Sequence, residues 1–177
     1  MFVRLLFIMI LFGTSLLAHS YSVDGLKIDE PKLLNIVKQR LPDYGVLRKT
    51  NDNLVYLAIS NDYSKLLSKQ IKLDNFVDLA SDGTLGAHIL VIDKDELEVD
   101  DSLSKLTELG SRIKFDLLGF YSVVADNTEY LMLAVDSPEL AAIRQKYNLL
   151  PDIDGHSFHI TIGSRVLTDE DELDDLG

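Results

Sequence analysis

Histidine is the side chain best suited to giving and taking protons near neutral pH, and two histidines of this chain open closely similar tetrapeptides. His88 begins His88-Ile89-Leu90-Val91, and His159 begins His159-Ile160-Thr161-Ile162. In each, a histidine opens a strand in which apolar residues alternate with one more side chain. The strand period of two puts His159 and Thr161 on one face, with Ile160 and Ile162 on the other. His88 and Leu90 are related in the same way. If the two strands come together, two imidazoles face one cleft, one as general base and one as general acid, which is what cleavage of a phosphodiester needs. The competing reading makes both rings partly buried structural histidines at strand ends, a common state for this residue, and makes Thr161 a simple β-former.

Other chemistries find less support. His156 reads as a loop histidine. His156-x-x-His159 is a poor metal pair, because there is no cysteine and no third spaced histidine, and an i, i+3 pair suits a helix rather than the start of a strand. No metal and no cofactor is expected. No phosphate-cradling glycine loop of the nucleotide-binding types occurs. No serine sits in a nucleophile-elbow context. Tyr121 could stack on a base at the cleft, although an aromatic on such a strand is more often core. The formal net charge is -12, and no basic face is evident, which argues against a long nucleic acid or a DNA duplex as partner. A small anionic substrate is easier to accommodate.

The elements that must carry these histidines follow from punctuation and periodicity. Arg4, the apolar run Leu5–Leu17 and the small residues Ala18 and Ser20 predict a signal peptide over residues 1–20. The apolar run is short for a membrane span of about 20 residues, so no span is expected after its removal, although an uncleaved anchor is the alternative. Without cysteine, a secreted or periplasmic domain must be held by its core alone. Residues 21–167 form one domain, and 168–177 an acidic, solvated and disordered tail. Within the domain, Pro31 starts a helix to Leu41. Strands at Gly45–Lys49 and Leu54–Ser60 flank a turn at Asn51-Asp52-Asn53. Asn61 or Asp62 caps a helix to about Ile71, and Ala87–Asp93 is a strand. The acidic residues from Asp93 to Asp101 predict a solvated loop. Lys94–Leu97 spells a retention signal that acts only at a C-terminus. A short helix spans Leu103–Leu109, closed by Gly110. Ile113–Ala125 and Tyr130–Val135 read as two strands. A helix opened by Ser137 or Asp136 with Pro138 runs to Tyr147, and Phe158–Ile162 is the last strand, followed by Gly163. Each half thus offers strands, a helix and then a histidine strand, a rhythm that predicts a pseudo-symmetric α+β domain with antiparallel sheets.

The chain resembles the 2H phosphoesterase superfamily, whose signature is two copies of histidine, apolar, Thr or Ser, apolar. His159–Ile162 matches in full. The segment from Phe115-Asp116-Leu117-Leu118-Gly119-Phe120 through Leu131-Met132-Leu133-Ala134-Val135-Asp136-Ser137-Pro138-Glu139-Leu140 to the second histidine strand is similar to the family's C-terminal layout. The likeness covers about residues 45–166. It implies a two-lobed fold with flanking helices. It also implies metal-independent hydrolysis of 2′,3′-cyclic phosphate ends, of the kind met in RNA processing, or of related small phosphoesters. His88 and His159 would be catalytic, and Thr161 would bind the substrate by holding a non-bridging oxygen. Leu90 departs from the pattern, since it cannot donate a hydrogen bond; Ser157 and Ser164 are possible substitutes. That departure sets up the second expectation, an exported non-enzymatic binding or interaction protein on the same fold.

Overall fold

The computed structural model describes residues 25–70, 77–78, 85–97, 106–153 and 156–168. The expected leader, the acidic residues 98–101 and the tail beyond Thr168 lie outside them. Strand β1 (Leu26–Ile28) leads into helix α1 (Pro31–Arg40), with Pro31 in its first turn and Leu33 and Val37 turned inward. The first hairpin, β2 (Tyr44–Lys49) and β3 (Val55–Ala58), turns through Asn53 at φ 74, a backbone state that asparagine tolerates better than most residues. Helix α2 (Asp62–Gln70), the two-residue strand β4 (Val77–Asp78) and strand β5 (His88–Ile92) complete the first half, followed by the short helix α3 (Lys94–Leu97).

The second half repeats the scheme. Strand β6 (Arg112–Lys114) precedes the long hairpin of β7 (Asp116–Ala125) and β8 (Thr128–Asp136), joined at Asp126 and Asn127, both at positive φ. Helix α4 (Pro138–Lys146) follows. The Ser137 hydroxyl accepts from the Leu140 N–H at 3.4 Å and donates to the Lys114 carbonyl at 2.7 Å, so the cap also ties α4 to the sheet. Strand β9 (His159–Val166) closes the chain.

All strand pairs are antiparallel, in the order β1-β7-β8-β9-β5-β3-β2-β6, with β4 beside β9. The expected antiparallel sheets are one continuous sheet, in which the histidine strands meet at the pair Ile89↔Ile160. Helix α2 packs against β9, and α4 against β5 and β6, so each histidine strand is backed by the opposite half's helix. The core lies on that side and includes Leu47, Leu57, Ile89, Leu133, Val135, Leu140 and Ile160, all fully buried.

Several expectations needed correction. Ile113–Ala125 is not one strand: the Phe115 N–H bonds to the Asp43 carbonyl, and the chain passes there from partner β2 to partner β8. Alternation carries no mark of a change of partner. The acidic stretch from Asp93 is not simply a solvated loop, because residues 94–97 are helical and Glu96 meets a buried arginine. Of the expected helix 103–109, the described residues are not helical: Thr107–Leu109 are turn, as is Gly110 after them. Strand β9 runs on past Gly163, since β8 is long enough to pair with it as far as Val166.

Candidate active site

The register at the β5–β9 seam decides where the chemistry gathers. With Ile89 opposite Ile160, the antiparallel ladder sets His88 across from Thr161 and Leu90 across from His159. Both isoleucines are buried in the core, whereas His88, Leu90, His159 and Thr161 are all partly exposed. These four side chains therefore share the sheet face turned away from the helices. His88 and His159 form a diagonal pair, whose Cα atoms in such a ladder lie on the order of 7–8 Å apart.

Each imidazole is held the same way. His88 Nδ1 lies 2.8 Å from the Gly86 carbonyl, and His159 Nδ1 lies 3.1 Å from the Ser157 carbonyl, two residues back in both cases. A carbonyl only accepts, so Nδ1 carries the proton and Nε2 is left for the substrate. A tyrosine stands edge-on to each ring: Tyr56 to His88 at 5.8 Å and Tyr121 to His159 at 6.4 Å. Burial lowers the pKa of His159; the Ser157 carbonyl works against this, and the neighbouring His156 and His88 add to it.

The loop before His88 is fixed by a residue whose role the sequence did not suggest. The Asn61 side-chain oxygen accepts from the Ala87 N–H at 2.8 Å, instead of capping α2. Gly86 adopts φ +67, and a Cβ there would stand 2.5 Å from the same Asn61 oxygen. A left-handed residue that must also leave room for a side chain has to be glycine. The expected cap role at α2 falls to Ser60, whose hydroxyl accepts from the Asp62 N–H at 3.2 Å.

The sequence model of one family, described as the Swiss Army Knife 2H phosphoesterase domain, matches residues 55–167. That span covers both histidine strands and more than half of the chain. The chain belongs to the 2H phosphoesterase superfamily. Comparison with curated proteins and with solved structures gave no match.

Within this 2H domain the departure at Leu90 acquires a place. Leu90 faces His159 across the seam and has Tyr56 as its partner on β3. Neither substitute hydroxyl stands there. Ser164 pairs with Tyr130 and Val77, farther along β9. Ser157 is 4% exposed, and its hydroxyl meets no partner among the described residues. His156 is exposed and pairs with Ile153 outside the main sheet. Among the described residues, no group of three His, Cys, Asp or Glu side chains is close enough to hold a metal ion. No helix among them is long and apolar enough to cross a membrane.

Proposed function

We propose that this 2H domain is a metal-independent phosphodiesterase that opens 2′,3′-cyclic phosphates, free or at RNA ends, and that it acts after export. The carrying observation is the seam: two imidazoles on one open face, each with Nδ1 committed to a carbonyl and Nε2 available. His159, disfavoured as a cation by its burial, suits the base. Its Nε2 takes a proton from the attacking water as the new P–O bond forms. The bond to one ribose oxygen breaks, and His88 delivers a proton to that oxygen. The Thr161 hydroxyl, across the seam from His88, donates to a non-bridging oxygen as negative charge builds on it. The products are a monophosphate ester and a free hydroxyl.

The test is hydrolysis of 2′,3′-cyclic AMP by the purified protein, in the presence and absence of chelator. Turnover that resists chelation, and falls by about 10²–10⁴ in both His88→Ala and His159→Ala, is the expected result. Unchanged turnover in both variants removes the reading. One observation favours a second reading: Leu90 leaves His159 without a facing hydroxyl, which suits a protein that binds phosphoesters without cleaving them. Nucleotide binding by calorimetry with no turnover would select it.

A further inference from the structure

Beside His159 the open face continues into a pocket that the acid–base pair does not use. Its volume is about 360 Å³, and its lining includes Lys27, Leu118, Gly119, Tyr121 and Ala134. Ala134 is the cross-strand partner of His159, and Gly119 is the partner of Ala134. The pocket therefore starts one strand from the imidazole and extends about 10 Å outward across two strand spacings. Tyr121, edge-on to His159, is a wall common to the pocket and the catalytic pair. The hollow exists because side chains are missing where the sheet should present them. The register of β7 against β8 shifts between Leu117 and Gly119, a bulge that re-aims the strand. A Cβ on Gly119 would meet nothing within 4 Å, and Ala134 contributes only a methyl group.

The lining specifies a ligand chemistry. Small apolar surface and a tyrosine wall suit a flat ring, and the volume falls in the lower part of the range for small-molecule sites. Lys27 is exposed and stands in register with Tyr121 at the outer end, where an ammonium group meets acceptor atoms or negative charge. An aliphatic chain could fill the hollow but would gain nothing from that ammonium. We infer that this pocket holds the heteroaromatic base of a nucleotide whose phosphate lies at His88 and His159, with Gly119 setting the size accepted. The placement of the phosphate rests on the phosphodiesterase reading; the pocket itself does not.

Calorimetry with two phosphate monoesters tests it: 3′-AMP, which has a base, and glycerol 3-phosphate, which has none. The full protein is expected to bind 3′-AMP at least about tenfold more tightly, as the stacking of one base allows. Gly119→Leu projects a side chain into open space without backbone strain. It should lose that preference while keeping its affinity for glycerol 3-phosphate, and Gly119→Ala should lose part of it. Retained glycerol 3-phosphate binding shows that each variant is folded. Equal affinity of the unaltered protein for both ligands, or an undiminished preference in Gly119→Leu, overturns the pocket. A protein that binds the base through Gly119 yet hydrolyses no cyclic phosphate keeps the pocket and sinks the hydrolase reading. Hydrolysis with no base preference does the reverse.

Discussion

His88 and His159 have the same Nδ1 arrangement, so what separates them is their surroundings. Burial disfavours the imidazolium of His159, and the nearby His156 and His88 oppose its charge further. If His159 is the base of the proposed reaction, it works only when neutral, and activity then rises with pH as it loses its proton. The acidic limb of kcat/KM on 2′,3′-cyclic AMP should then have its midpoint below the ordinary histidine value of about 6.5. His156→Ala removes one of the opposing charges and should move that midpoint upward. A limb at or above the ordinary value would contradict the assignment of His159 as base. Leu90 offers a gain-of-function test at the same scale. It faces His159 in the ladder and packs beside Tyr56 rather than in the sealed core, so Leu90→Thr restores a hydroxyl at little cost in packing. Single oxyanion donors elsewhere contribute about 10²–10³ in kcat, and an increase in kcat of at least about tenfold is expected here. No increase in steady-state turnover would mean that the place of the hydroxyl is already served by another group.

At the scale of elements, His88 depends on the joint between α2 and the loop before β5. Asn61→Ala removes the acceptor for the Ala87 N–H, leaving a buried donor unpaired at a cost of about 1–3 kcal/mol. His88 would lose its register with the substrate, and misplacement of about 1 Å can reduce turnover 10²-fold. Asn61→Asp keeps an oxygen at the same place and should recover most of kcat, which steady-state kinetics beside a thermal melt would show. Loss of stability with kcat intact would make Asn61 merely structural. The joint also shows where the sequence stopped being legible. Asn61 stands at the start of a helix, where its type alone predicts a cap; only the fold brings Ala87 to it. The hairpin turns, the helix beginning at Pro138 and the histidine strands are written in local residue types, and all form near their expected places. β1 and the divided β6–β7 segment are determined by which strand lies alongside, and local alternation is silent about partners. The pocket beside His159 was illegible for the same reason, since it requires a bulge at Leu118 and a glycine on a particular face.

Across the whole molecule the two halves interlock, with β1 on β7, β2 on β6, β4 on β9 and the short β5–β9 seam, and a buried arginine joins them on the helix side. Arg144, on α4 of the second half, is 0% exposed. It donates to the Val91 carbonyl at 2.6 Å and to both Glu96 oxygens at 2.9 and 2.7 Å in the first half. It also fastens its own half through the Leu150 and Asp152 carbonyls at 2.6 Å each. Val91 continues the strand that His88 begins, so the clasp bears on the seam that aligns the imidazoles. Burial alone would raise the pKa of Glu96, but the Arg144 guanidinium and the Asp93 N–H hold it below the usual carboxylate range. A lowered carboxylate contributes stability that is present above its unfolded value and is lost as pH falls through the folded one. Arg144→Met keeps the volume but leaves Glu96 and three carbonyls without their donor. Breaking a fully buried pair costs about 3–5 kcal/mol; Glu96 keeps some solvent access, which puts the loss near the lower end of that range, or about 10 °C in Tm for a domain of this size. Glu96→Gln tests the other side: the melting temperature of the unaltered protein should fall more steeply below about pH 4 than that of the variant, because only the former has this carboxylate to protonate. Identical pH dependence in both proteins would mean that the clasp is held by the carbonyls alone, with the charge on Glu96 adding nothing to the union of the halves.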